Sequence, residues 1–290
     1  MRTIDFLDKR VTGICNELKK LSVKQKFETS DWLIKPGNFL RPEDADADPA
    51  PFEPFDSRTM HWYGPDKHYW FRADVAVPQE MDGKPLWMHV CTQIDEWDDA
   101  KNPQFLLFVD GKVTQGVDMN HRDILLDRCA KGGQKYRLEL QSYTGTLHTE
   151  FNLIVDLREI EGLYYDMVVP LEAFPRLEED GKARRDLENV LNEAVNLIDL
   201  RTPYNESFYQ SIAAARRYLA KALYTDLAGH EEVIASCIGH THIDVAWWWT
   251  VAQTREKVCR SFATVLKLMD EYPDYKFMSS QPQLYYFLKQ

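Results

Sequence analysis

Hydrophobic residues in this chain recur at one spacing, then at another, and each change of period marks a change of architecture. Ile4, Leu7, Val11, Ile14, Leu18 and Leu21 recur at intervals of three and four, which sets them on one stripe of an α-helix. A stretch rich in Pro, Asp and Ala follows over residues 36–54 and is expected to wrap a surface as a loop. From Tyr69 the period becomes two. Phe71, Ala73, Val75 and Val77 alternate with Arg72, Asp74 and Ala76, and Asp82-Gly83 turns the chain into residues 86–91. Residues 105–109 lead into Asp110-Gly111, a strong hairpin signal, with Val113 beyond it. Tyr136, Leu138 and Leu140 alternate with polar neighbours, as do Phe151, Leu153, Val155 and Leu157. Short strands at this spacing predict an antiparallel sandwich over about residues 60–165.

After Pro170 the helical period returns. Leu187, Val190, Leu191, Ala194, Leu197 and Ile198 form one stripe; Phe208, Ile212, Ala215, Leu219 and Leu223 form another. Together they predict a helical hairpin joined near Thr202-Pro203. The last segment has a different grammar. Residues 233–238 are a short apolar run, fit for a strand buried on both faces. A helix over 253–269 follows, ended by Tyr272-Pro273, then a strand over 275–280 and a second helix from Leu284. The expected fold class is therefore α+β and multidomain. Residues 1–60 form an N-terminal helix and wrapping loop, 61–165 an antiparallel β-sandwich, and 166–232 a helical hairpin linker. Residues 233–290 form the first βα units of a truncated α/β, β/α-barrel-like catalytic domain. A parallel sheet this small does not cover itself, so the protein is expected to continue.

Composition narrows the partners. Asp and Glu number 46 against 35 Lys and Arg, a formal charge of −11. Such a surface repels phosphate backbones and anionic lipid, which argues against nucleic acid and membrane and is compatible with a neutral sugar. The five cysteines are widely spaced with no CxxC, as scattered reduced thiols are. Charges fill the start where a signal peptide needs an apolar stretch, and no apolar run approaches the ~18 residues of a membrane span. Asn205-Glu206-Ser207 matches a glycosylation acceptor, but nothing else points to secretion. The expected location is the cytoplasm.

The residues suited to chemistry sit in Gly239-His240-Thr241-His242-Ile243-Asp244-Val245-Ala246-Trp247-Trp248-Trp249. In an extended chain alternate residues share a face, so His240, His242 and Asp244 are expected to project together at the carboxyl end of a buried strand. That is the edge where α/β folds place their sites. Imidazole nitrogen and carboxylate oxygen suit Zn²⁺, and three unpaired ionisable groups on a buried strand would otherwise be costly. Trp248 and Trp249 read as packing residues. Trp247 is placed to offer an aromatic face to the C–H face of a sugar ring.

GHTHIDVAWWW, followed by TREKVCRSFATVLKLMDEYPDYKFMSSQPQLYYFLK, resembles the start of the catalytic domain of glycoside hydrolase family 38, the class II α-mannosidases. It is most similar to their cytosolic and vacuolar branch and its bacterial relatives. The resemblance is dense over residues 233–290 and looser upstream, where YWFRADVAVP and FVDGKVTQGVDMNHRDILL are similar to that branch's sandwich. It implies that His242 and Asp244 bind an active-site Zn²⁺ and that Trp247 lies against the mannose bearing the scissile bond. It implies that His240 is not a ligand but orients its neighbours, which replaces the three-ligand set suggested by alternation. It further implies a retaining mechanism on mannose-containing oligosaccharides. The nucleophilic Asp, a further His ligand and the acid/base carboxylate then all lie beyond residue 290. Two protein ligands rarely hold zinc tightly, so this chain by itself is expected to be inactive. Family members often form homo-oligomers through parts outside this chain.

Two other readings compete. A metal-dependent amidohydrolase-type barrel hydrolase also carries an HxH pair at the end of its first strand, but the long sandwich and helices upstream stand against it. A non-catalytic carbohydrate-binding module would make the sandwich the working part. His61, His68, His89, His121, His148 and His230 lack ligand spacing and read as ordinary polar residues, with His121 placed to meet another domain. Asp95, Glu96, Asp98 and Asp99 around Trp97 read as a solvated loop without calcium-site spacing.

Overall fold

The computed structural model describes residues 4–29, 31–92, 103–145, 150–156, 158–179, 181–228 and 234–289. In chain order its first elements are α1 (Ile4–Leu21), β1 (Val23–Thr29), β2 (Asp31–Pro36), α2 (Pro42–Ala47), β3 (Glu53–Asp56) and β4 (Gly64–Ala76). The strands β5 (Leu86–Cys91), β6 (Gln104–Val109), β7 (Lys112–Val117), β8 (Asp123–Asp127), β9 (Lys135–Gly145) and β10 (Glu150–Asp156) follow. Then come α3 (Arg158–Ala173), α4 (Lys182–Leu197), α5 (Glu206–Lys221), β11 (Gly239–His240), α6 (Val251–Glu271), β12 (Phe277–Met278) and α7 (Pro282–Phe287). The chain divides into two compact units, residues 1–25 with 156–235 and residues 26–155 with 236–290.

The first unit is helical. Val11, Cys15 and Leu18 of α1 are buried with Ile160, Leu163 and Met167 of α3, Leu191 and Ala194 of α4, and Phe208, Ile212 and Leu219 of α5. The apolar stripes expected on α1, α4 and α5 are the faces that meet there. Burial pushes the Cys15 thiol up to about 11, so it packs as a small apolar group. Asn205 caps α5 by accepting from the Phe208 backbone N–H at 2.8 Å. One expectation changes here. Helix α3 starts at Arg158, within the stretch expected to belong to the sandwich, and runs through Pro170. Ile160, Leu163 and Met167, three and four apart, all find buried partners on the other helices. Pro170 lies in the last turn of the helix, where it removes one N–H from the ladder and the helix ends three residues later.

The second unit holds two antiparallel sheets. One has strand order β3-β2-β4-β9-β6-β7 and the other β1-β10-β5-β8. Their apolar faces meet around Phe151 of β10, whose ring lies 4.2 Å from Trp32, 5.6 Å from Phe71 and 6.3 Å from Phe105 of the larger sheet. The expected hairpin joins β6 to β7, with Asp110 at φ 50° and Gly111 at φ 77°, the paired left-handed residues of a type I′ turn.

The stretch expected as a wrapping loop contains α2 and β3, with β2 just before it. What disguises the strand is Lys35, 1% exposed at the penultimate position of β2. Its ammonium donates to the carbonyls of Ala45 at 2.7 Å and Asp48 at 2.9 Å and pairs with the Asp48 carboxylate at 3.0 Å. A buried charge satisfied in this way can sit inside a sheet, but it breaks the polar–apolar alternation that would announce a strand.

The C-terminal segment differs most from expectation. Residues 234–238 form no strand; Ile234 is 88% and Ile238 58% exposed. Strand β11 is two residues long and pairs in parallel with β12 alone. A parallel strand is kept by layers on both faces, and among the described residues none covers the 234–238 run. Helix α6, by contrast, packs against β7, with the Thr264 hydroxyl donating to the Gly116 carbonyl. A capping box starts it. The Thr250 hydroxyl accepts from the Gln253 N–H at 3.3 Å, and the Gln253 side chain accepts from the Thr250 N–H at 2.6 Å. All five cysteines are free thiols, and no helix among the described residues is long and apolar enough to cross a membrane. His148, His230 and the acidic loop around Trp97 lie outside the described residues.

Candidate active site

The sequence around His242 folds as it does because one side chain is apolar. Ile243 is buried against Val258, Phe262 and Leu284. With Ile243 turned inward, His242 and Asp244 turn outward together, and His242 Nε2 lies 3.1 Å from Asp244 Oδ1. The backbone is held by Gln281, whose carboxamide accepts from the Ile243 N–H at 3.0 Å and donates to its carbonyl at 2.9 Å. That two-point clasp stands in for a neighbouring strand. From the other side Trp249 Nε1 donates to the Asp244 carbonyl at 3.0 Å and Thr254 Oγ1 to the Val245 carbonyl at 2.6 Å.

The three-residue alternation therefore holds in part. His242 and Asp244 meet, whereas His240, at the end of β11, lies 3.3 Å from the Ser280 hydroxyl. The converging pair offers one imidazole nitrogen and one carboxylate oxygen, the donor types zinc takes. Both are well exposed, at 65% and 47%. Among the described residues no third His, Cys, Asp or Glu joins them. The donor set fits as half of a metal site. Trp247, three residues on from Asp244, is 63% exposed, with its ring 5.6 Å from Trp248 and 5.4 Å from Trp249.

A cavity of about 330 Å³ opens next to the pair, lined by His240, His242, Trp249, Lys257, Arg260 and, from the sandwich, Asp118 and His121. The Lys257 ammonium lies 4.4 Å over the Trp249 ring, which fixes that indole in the wall. Asp118 Oδ1 accepts from the N–H groups of Asn120 at 2.8 Å and His121 at 2.9 Å and meets His121 Nδ1 at 2.9 Å. Burial works to raise the Asp118 carboxyl, but the His121 side chain and the two backbone N–H groups outweigh it and hold it below its ordinary 3.8. The hydrogen bond to Asp118 carries His121 above its ordinary 6.5 against the opposing effect of burial. His121 thus lines the candidate site with the C-terminal segment and is more than an ordinary surface residue.

The sign of the pH effect follows. A raised imidazole stabilises fully below 6.5 and loses that contribution as pH rises through its folded value; a lowered carboxyl contributes above 3.8 and loses it as pH falls. The pair therefore helps most between those limits. Both side chains are about 40% exposed, so screening keeps the contribution under about 1 kcal/mol. The stability gap between the native protein and His121→Gln is expected to shrink from pH 6 to pH 8 in urea titrations. A gap that is constant or widens would disprove the ion pair.

With this geometry in place, comparison with known proteins is specific for one segment. Residues 232–290 match the glycosyl hydrolases family 38 N-terminal domain. Alpha-mannosidase G of Dictyostelium discoideum is 22% identical over 264 residues, covering 81% of this chain and 22% of that protein. Alpha-mannosidase 2C1 of Mus musculus is 24% identical over 237 residues, covering 74% and 21%. The alpha-mannosidase of Saccharomyces cerevisiae is 30% identical over 140 residues, covering 45% and 12%. The chain thus spans about a fifth, or less, of the length of these relatives.

Sequence reading missed Gln281 and the Asp118–His121 pair. Gln281 had a signal of a kind, a polar residue at the start of a short apolar helix. Asp118 followed by Asn120 and His121 carries the local side chain-to-backbone grammar of an Asx turn, which says nothing of the cavity it lines.

Proposed function

We propose that this chain is part of a retaining, zinc-dependent α-mannosidase of glycosyl hydrolase family 38, of the cytosolic and vacuolar type. Its substrates are mannose-containing oligosaccharides, from which it removes terminal α-mannosyl residues. One observation carries the reading. Within the segment that matches the family model, an imidazole nitrogen and a carboxylate oxygen converge at 3.1 Å, and an exposed indole follows three residues after the carboxylate. In this reading His242 and Asp244 are two of the zinc ligands, Trp247 lies against the mannose ring, and His240, bonded to Ser280, positions the loop without binding metal. When bound, zinc supplies charge stabilisation and a template for substrate hydroxyls. Ile243 and Gln281 keep the two ligands facing one way. The other ligands, the nucleophile and the acid/base come from beyond residue 290, in the remainder of a β/α-barrel-like domain. Residues 1–290 alone have no mannosidase activity and weak metal affinity. We place the enzyme in the cytoplasm, as a homo-oligomer, on the resemblance to that branch; five unpaired thiols agree with the location.

The test is hydrolysis of an aryl α-mannoside by the full-length protein, with and without a chelator, beside residues 1–290. The expected result is activity that vanishes on chelation, returns with zinc, and is missing from residues 1–290. Full-length activity indifferent to chelation would remove the metal, and inertness toward mannosides would remove the mannosidase reading.

A further inference from the structure

The far wall of the 330 Å³ cavity carries a charge that runs against that of the chain. Lys257 and Arg260 stand three residues apart on α6, on one side of the helix, and both line the cavity. They converge on one atom. Arg260 Nη2 donates to Gln104 Oε1 at 2.6 Å, and Lys257 Nζ lies 3.5 Å from the same oxygen. A neutral carboxamide oxygen therefore sits between two permanent cations. Gln104 is 7% and Arg260 8% exposed, so water screens this meeting poorly. Two carboxylates approach Arg260, and both are committed. Asp118 holds the Asn120 and His121 N–H groups and the His121 imidazole. Glu256 is 3.8 Å from Arg260 Nη1, but each of its oxygens lies 3.0 Å from His68 Nε2 and one accepts from Asn38. Burial pulls the Arg260 guanidinium below its ordinary value against the attraction of Glu256.

Like charges brought together out of water are costly, and an anion between them relieves the cost. The chemistry of the wall selects which anion. Ammonium and guanidinium are donors only, and the Ser261 hydroxyl lines the cavity with them. Such a wall suits an oxyanion with several acceptor oxygens. Phosphate brings more acceptor oxygens and more charge than a carboxylate, which matches two cations better than one. The cavity is also large enough to hold a phosphate together with a small organic remainder. We propose that this cavity is an anion-binding site, in which Lys257 and Arg260 hold the phosphate group of a small ligand. The donors are these two side chains and not His242, Asp244 or Trp247, so the site holds whether or not the chain serves a glycosidase.

The test is calorimetric titration of residues 1–290 with inorganic phosphate at fixed ionic strength. A chelator is present throughout, so that no metal on His242 supplies the charge. Glycerol 3-phosphate and glycerol are parallel arms. Saturable binding of phosphate at one site is expected, with none of glycerol; a chain of formal charge −11 gives no general attraction to anions. Tighter binding of the ester marks a phosphorylated small molecule as the ligand, tighter binding of inorganic phosphate marks the free ion, and either upholds the site. Lys257→Met is expected to weaken binding about tenfold or more, as loss of a charged hydrogen-bond donor does. Lys182→Met, the same change of charge at a side chain 86% exposed on α4, is expected to leave it unchanged. Gln104→Glu places a carboxylate of the same shape where the two cations meet, and is expected to abolish phosphate binding while raising the thermal midpoint. Circular dichroism checks that the variants are folded. Three results would each overturn the site: no saturable binding by the native chain, equal loss in Lys257→Met and Lys182→Met, or a Gln104→Glu variant that melts lower and binds phosphate as the native chain does.

Discussion

Gly116→Ala is expected to lower the stability of the chain by roughly 2–3 kcal/mol, the cost of overpacking a site that cannot collapse around an added methyl. A Cβ at this position would stand 2.4 Å from the Arg260 carbonyl oxygen and 2.8 Å from its carbon. Those atoms are helix backbone, and a flexible side chain is not available to give way. The Gly116 carbonyl also accepts from Thr264 Oγ1 at 3.1 Å. Relief of the clash would lift α6 from β7 and stretch that bond. Arg260 adds to the rigidity, since it is buried and donates to Gln104 Oε1 at 2.6 Å. Thr264→Val is the control. It removes the hydroxyl with no clash and is expected to cost about 1 kcal/mol. Urea midpoints at unchanged m-value decide the matter. If Gly116→Ala lies within about 0.5 kcal/mol of the native chain, α6 is not seated on β7 as described.

The same contact shows why part of the fold was legible in sequence and part was not. The stripe on α4 and the alternation in β4 and β9 each report a face turned to one neighbour, and period alone reveals that. The hairpin at Asp110-Gly111 was legible because two left-handed residues leave few other options. Lys35 hid β2, since the ammonium that belongs on a surface is held inside by carbonyls ten and thirteen residues away. The glycine at 116 carries no periodic signal at all; its reason is a helix 144 positions later, counted from Gly116 to Arg260. Residues 234–238 misled in the opposite direction. An apolar run announces a buried strand only where something buries it, and pairing with β12 reaches only Gly239 and His240. In the site, alternation placed His242 and Asp244 on one side because Ile243 is anchored between them. It failed for His240, whose hydrogen bond goes to Ser280, forty residues on.

That distinction between His240 and Asp244 sets the largest effect expected. On the proposed zinc-mannosidase reading, Asp244→Ala in the full-length protein is expected to reduce hydrolysis of an aryl α-mannoside on the order of a thousandfold and to weaken zinc binding, because on that reading it removes a charged ligand from the metal. His240→Ala is expected to cost about 10–100-fold, as the loss of a positioning neighbour does, with zinc retained. Neither change is expected to disturb the fold. Asp244 is about half exposed, and the loop is clasped through the backbone of Ile243 by Gln281, so stability should stay within about 0.5 kcal/mol. Metal content by emission spectroscopy and kcat/KM on the same preparations separate the outcomes. Full activity in Asp244→Ala would remove the metal assignment. If His240→Ala also strips zinc and costs as much as Asp244→Ala, then His240 turns from Ser280 to the metal, and the three-ligand set suggested by simple alternation is the correct one.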